Sequence, residues 1–291
     1  MTRSTIDSQP RPLGKSLEEY GRGVVGGLMF SLPLLYTMEV WWSGFLAQPL
    51  HLIAYVAATV FLLLGYNRFA GMRRDASWTE VVIDSVEEMG IGLILSTVVL
   101  YLLGQIERSM PWPEVLGKIV VESMTVAIGV SIGTAQLGLS TDDTGVEDDD
   151  RERDQKKSTE PPDSKSQLVL ALCGAVLFAG NVGPTEEIII IAAMSSAGKL
   201  LGLAALSILS GALVLFRIGF VGTDRHVRRD NMIWVGYGLI TSYAAALIAS
   251  ALLLCFFGRL DDVPPAVAIA RIVVLSFPAM LGASAGRLLI Q

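Results

Sequence analysis

The sequence predicts an all-α, polytopic membrane protein of eight transmembrane helices arranged as two parallel four-helix repeats. Three observations lead there. The chain of 291 residues is 52% hydrophobic and only 17% charged, whereas soluble domains carry about a quarter charged residues. Its apolar residues gather in runs close to the roughly 20 residues that cross a hydrocarbon core of about 30 Å. Blocks of residues in the first half also recur, in the same order, in the second.

The runs are Val24 to Trp42, Leu50 to Phe69, Met89 to Ile106, Val115 to Leu139, Leu168 to Ala193, Leu200 to Phe220, Met232 to Phe257 and Ala266 to Leu289. The first follows basic residues as a signal peptide would. It is too long for one and reaches Glu39, Trp41 and Trp42 without a small-residue cleavage site, so it reads as a retained anchor. Before the third run, Trp78, Val81, Val82 and Met89 fall near helical spacing, which makes Asp75 to Glu88 an interfacial helix or an extension of that span. The fourth run is the most polar, with Lys118 and Glu122 inside it. Residues 1–22 form an N-terminal segment, 23–139 the first membrane repeat, 140–167 a linker and 168–291 the second repeat. The linker, rich in Asp, Lys, Ser and Pro, has too few apolar residues to bury a core and is expected to be disordered.

Orientation follows from the basic residues. With the N-terminus in the cytoplasm, only Arg108, Lys118, Lys199, Arg259 and Arg271 of the 22 Lys and Arg fall toward the other side, as the positive-inside rule requires. Both termini, the linker and the loop from Thr223 to Asn231 are therefore expected to be cytoplasmic, and the lipid bilayer is the main partner. Much of the acidic excess sits between Asp142 and Asp163, so the net charge of -6 describes a loop and points to no nucleic acid. Cys173 and Cys255 each lie in an apolar run and offer no disulfide framework or C-x-x-C site. His51 and His226 stand outside any H-E-x-x-H pattern. Nothing in the sequence asks for a cofactor or identifies a metal.

The duplication is read from three collinear blocks. Gly27 to Glu39 aligns with the stretch ending at Glu187, pairing Phe30 with Phe178, Thr37 with Thr185 and Glu39 with Glu187. Gly90, Gly92, Leu93, Ile94 and Ser96 match Gly236, Gly238, Leu239, Ile240 and Ser242, and K-I-V-V-E-S from Lys118 returns as R-I-V-V-L-S from Arg271. An even number of spans per unit makes the repeats parallel, with any shared site at their interface. Gly129 with Gly133, and Gly282 with Gly286, have the G-x-x-x-G spacing that lets helices approach closely, here within each half.

Carboxylates inside apolar spans are costly and are functional candidates by default. Glu39, Glu122 and Glu187 lie at similar depth on three different spans. Glu186 adjoins Glu187 but points about 100° away around a regular helix. Pro184, with Gly180 and Gly183, should kink or unwind the fifth span, and Pro33 frees a carbonyl in the first. Thr37, Asn181, Thr185 and the acids then form an oxygen-rich set suited to a hard cation or a proton. The competing reading makes the charges packing glue, with Lys118 neutralising Glu122 four residues away and Arg271 in the matching place of the second repeat. Asp84, Glu87 and Glu88 read as solvated charge at the cytoplasmic end of the third span.

At G-N-V-G-P-T-E-E-I, Gly180 to Ile188, the chain resembles a family of bacterial integral membrane proteins of unknown function that carries a similar N-x-x-P-T-E-E element. The resemblance spans the membrane part of the chain and implies a bacterial inner-membrane location, but no activity. G-N and P-T-E are also similar to glutamate motifs of cation and calcium antiporters, although a four-plus-four arrangement does not match their repeats. Glutamate-type membrane proteases use E-E-x-x-x-R with histidines on other helices, but here Glu187 is followed by isoleucines, so no enzyme is expected. A scaffold or sensor has no need of buried acids. The function expected is a cation channel or a proton-coupled cation transporter.

Overall fold

A computed structural model describes residues 13–35, 37–71, 76–136, 164–217 and 232–288. The described residues fold into α1 (Leu13–Leu35), α2 (Met38–Leu46), α3 (Pro49–Ala70), α4 (Trp78–Leu102), α5 (Trp112–Gln136), α6 (Ser164–Gly180), α7 (Glu187–Met194), α8 (Ala197–Arg217), α9 (Met232–Phe256) and α10 (Pro265–Leu288). Residues 140–163 of the expected linker and the loop from Thr223 to Asn231 lie outside the described residues, while residues 164–167, expected in the linker, form the first turn of α6.

Six helices, α3, α4, α5, α8, α9 and α10, are long and apolar enough to cross a membrane. Of the eight expected spans, the first and the fifth do not run as single long helices, and the break in the fifth falls where Gly180, Gly183 and Pro184 are expected to unwind it. Each of these is broken into a longer helix and a short one, α1 with α2 and α6 with α7. In the fifth span Pro184 has no N–H, so the backbone leaves the helix through tight turns. Gly183 N donates to Ala179 O at 2.7 Å and Thr185 N to Val182 O at 3.1 Å, and a helix resumes at Glu187. Conversely, α4 begins at Trp78 behind a Ser77–Glu80 capping box, so the segment before Met89 is an extension of the third span.

The ends of α4 and α9 are built alike. Gly104 and Gly258 adopt positive φ, 70° and 65°, where a Cβ would be strained. Gly104 N bonds Tyr101 O and Gln105 N bonds Leu100 O. Gly258 N bonds Cys255 O and Arg259 N bonds Leu254 O in the same pattern. These turns send the chain back into α5 and α10, the central helices. α5 packs on α1, α2, α3 and α4, and α10 packs on α6, α7, α8 and α9. Every residue from Val121 to Gly133 is buried.

Glycine makes the close crossing of the long helices in each half. A Cβ on Gly26 of α1 would overlap Gly129 and Gly133 of α5, and one on Gly174 of α6 would overlap the carbonyl of Gly282 on α10. The G-x-x-x-G pairs therefore pack within their own halves, as the spacing suggests. The halves meet where Val169 lies on Gly65, where Cys173 Sγ reaches Leu62 O at 3.5 Å, and where the rings of Tyr55 and Phe256 stack at 4.1 Å. Phe61, Ile94, Leu201, Leu209, Ile240 and Leu252 point outward, an apolar surface that only lipid matches. The helix order gives the bundle two ends. The linker joins α5 to α6 at one, and α2 and α7 sit at the other, the short-helix end.

Candidate functional site

The breaks in the first and fifth spans place the starts of α2 and α7 beside one cavity. It has a volume of about 420 Å³ and is lined by Glu39, Glu186, His51, Arg259, Asp261 and Trp42, with Phe256 and Phe257 on its wall. Glu39 stands in the first turn of α2 and Glu186 is the residue before α7. Both are acids at helix N-termini, where the unpaired N–H groups favour negative charge. Glu187 does not line the cavity and is exposed. The structure thus pairs Glu39 with Glu186 rather than with its sequence counterpart Glu187. Glu186 and Glu187 keep the separation of neighbours on a regular helix, for Ile190 N already bonds Glu186 O at 3.0 Å.

Asn181 ties the break to the first half. Its Nδ2 donates to Leu177 O at 2.6 Å and to Phe30 O on α1 at 3.3 Å, while its Oδ1 is buried with no hydrogen-bond partner. Thr185 Oγ1 donates to Val182 O at 2.8 Å. Thr37 directly precedes α2, where its carbonyl accepts from Val40 N at 3.1 Å. Arg259 donates to the Pro184 carbonyl and Arg271 to the Arg259 carbonyl. Two guanidinium groups therefore hold the α6–α7 break to α9 and α10 through backbone oxygens, and Arg271 is no carboxylate's partner in these bonds.

Glu122 sits apart. It is wholly buried in α5, and neither carboxyl oxygen has a hydrogen-bond partner. The Lys118–Glu122 pair of the competing reading does not form: Lys118 Nζ lies 2.7 Å from Glu114 Oε1 and donates to Gln105 O at 3.1 Å. The lysine is itself buried, and its ammonium is held by these oxygens toward the short-helix end. The phenol of Tyr55 lies within electrostatic reach of Glu122, and its hydroxyl is also buried without a partner. The stacked rings of Tyr55 and Phe256 reach from this pair to the cavity wall.

At the linker end the reading of three solvated acids is corrected at Glu88. Glu87 is exposed and Asp84 half-buried, but Glu88 is buried and accepts a hydrogen bond from Asn67 Nδ2 at 2.6 Å. Sequence reasoning passed over Asn67, although an amide inside an apolar run, facing Ser85 and Glu88 one turn apart, was the signal available. It also passed over His51, Arg259 and Asp261 as cavity residues. Among the described residues, no group of three or more His, Cys, Asp or Glu could hold a metal ion.

Residues 19–290 match the model of a family described as putative integral membrane protein (DUF2391). No curated protein and no solved structure matches the chain.

Proposed function

The chain belongs to the DUF2391 family of integral membrane proteins, and from that premise we propose that it moves a cation across the bilayer, as a channel or as a proton-coupled transporter. The observation that carries this is Glu122, a wholly buried acid on the central helix with no hydrogen-bond partner on either oxygen. Membrane proteins seldom retain such a group unless an ion or proton visits it. The cavity with Glu39 and Glu186 is the entrance in this reading. Its acids concentrate cations, and Tyr55 and Phe256 separate it from Glu122. No enzymatic step is part of the proposal.

The reading includes two parallel repeats with the short-helix end facing away from the cytoplasm. Three features support the duplication. The helix order α1 to α5 recurs as α6 to α10, matching caps close α4 and α9, and Gly26 on Gly129 and Gly133 corresponds to Gly174 on Gly282 and Gly286. The basic residues support the orientation. Single cysteines at Ser158, Thr223 and Gln48 check it with a membrane-impermeant thiol reagent. In intact cells only the cysteine at Gln48 is expected to react, and the opposite pattern inverts the topology.

The transport reading is tested in proteoliposomes loaded in turn with several cations and protons. Glu39→Gln and Glu186→Gln are each expected to lower flux about tenfold or more, the scale of a lost charged hydrogen-bond acceptor. Glu187→Gln is expected to leave it near the wild-type rate. Unchanged flux in both Glu39→Gln and Glu186→Gln would remove the cavity from the path.

A further inference from the structure

The linker end of the first half holds a second buried acid that the entrance does not use. Asn67 of α3, Ser85 and Glu88 of α4 and Ser131 of α5 meet there, each at most 7% exposed. Asn67 Nδ2 donates to Glu88 Oε2 at 2.6 Å and to Ser85 Oγ at 3.0 Å, and its Oδ1 accepts from Ser131 Oγ at 3.0 Å. Ser85 Oγ donates onward to Val81 O at 2.7 Å. Both amide hydrogens and the amide oxygen are thus engaged, which fixes the amide in one orientation with its N–H toward the carboxyl.

Among the described residues, no charged group neutralises Glu88. On α4, Asp84 and Glu87 lie within electrostatic reach and add negative charge. On α3, Tyr66 is a buried neighbour, backed by Cys173 of α6. Arg68, next to Asn67 in sequence, is exposed, with its guanidinium 5.5 Å from the centre of the Trp78 ring. On α1, Arg22 stands at the level of Gly133, two residues along α5 from Ser131. No basic side chain is paired with Glu88 among the described residues.

A buried acid held only by neutral donors needs either a cation or a proton to offset its charge. A metal cation asks for several oxygen ligands converging on one point, but here the Asn67 N–H occupies the approach to Glu88 Oε2 and to Ser85 Oγ. A proton needs one oxygen. We propose that Glu88, set by Asn67, Ser85 and Ser131, is a proton-exchange site at the linker end of the path. It rests on the transport reading and names the proton as the coupling ion. Uptake forms one O–H bond at the Glu88 carboxyl and leaves water behind, and release reverses this. Asp84 and Glu87, one turn and one residue before it in α4, are the relay to bulk water.

Infrared difference spectra of the purified full-length protein across pH test the site itself. A protonated-carboxyl carbonyl band is expected to titrate in the wild type, Glu122→Gln and Glu87→Gln, to vanish in Glu88→Gln, and to change its midpoint in Asn67→Leu. Glu88→Asp, which keeps a carboxyl, should retain a titrating band even if Glu88→Gln folds poorly. In liposomes carrying a pH-sensitive dye, Glu88→Gln is expected to slow proton flux about tenfold or more. Survival of every titrating band in Glu88→Gln would overturn the assignment. So would its loss with proton flux at the wild-type rate, since the site would then lie off the path. If the wild-type protein carries no ion at all, the transport reading fails, while the infrared result still decides whether Glu88 binds a proton.

Discussion

Glu122→Leu is expected to unfold at a higher temperature than the wild type while losing ion flux. The side chain is wholly buried, and neither oxygen finds a hydrogen-bond partner. Mutational data put the cost of burying such a polar group at about 1–3 kcal/mol, and leucine fills nearly the same volume without it. The ion-pair alternative predicts the opposite sign. Removing one member of a buried pair strands the other and costs about 3–5 kcal/mol. Lys118 is not stranded here, because its ammonium is held by Glu114 and the Gln105 carbonyl. Melting curves in detergent and flux in proteoliposomes on the same preparation decide the matter. A fall in melting temperature on Glu122→Leu would show that the acid holds the bundle together, and flux at the wild-type rate would show that no ion uses it.

Gly174→Ala and Gly282→Ala are expected to be among the most damaging single-methyl changes at the described helix crossings, alongside Gly117→Ala, whose Cβ would meet the Gly44 carbonyl. A Cβ at Gly174 or Gly282 runs into the other residue's backbone carbonyl, and no flexible side-chain end is there to yield. The helices must separate along the whole crossing, and overpacking of this kind costs about 1–3 kcal/mol or more. Gly90→Ala and Gly202→Ala are the controls, since nothing lies within 4 Å of the added methyl. Each is expected to be neutral or to gain about 0.5–1 kcal/mol from helix propensity. Melting temperature and the monodisperse fraction on size exclusion report all four. Equal tolerance across the four would mean that α6 and α10 do not cross this closely.

Most of the helices were legible in the sequence, because membrane spans announce themselves by length and hydropathy, and the G-x-x-x-G spacing pointed to two close crossings, though not to that of Gly44 on Gly117. What stayed hidden depended on three-dimensional phase and on alternative partners. Lys118 has an acid four residues away in either direction, Glu114 and Glu122. The sequence offers both, and the choice falls to Glu114 because it lies toward the end of the bundle, where the ammonium is less costly to hold. Pro184 announced a break, but not how many residues of turn would follow, and that number decides whether Glu186 or Glu187 lines the cavity. Glu88 looked solvated beside Asp84 and Glu87. Its burial comes from Asn67 and Ser131, contributed by two other helices.

The placement of α5 bears on how the protein is made. As the chain emerges, α1 to α4 precede the helix that all four of them pack against. Until α5 arrives, the groove that will receive it must be lined by lipid or by the membrane-insertion machinery. A helix entering such a groove meets protein on every side, so it can bring Lys118 and Glu122 with it at a cost that a solitary span in lipid could not bear. The second half repeats the order, with α10 following the four helices it packs against. Each half therefore closes on its final helix, and a ribosome stalled between α4 and α5 would leave in the membrane an open ring of helices, the form of this protein most exposed to membrane proteases.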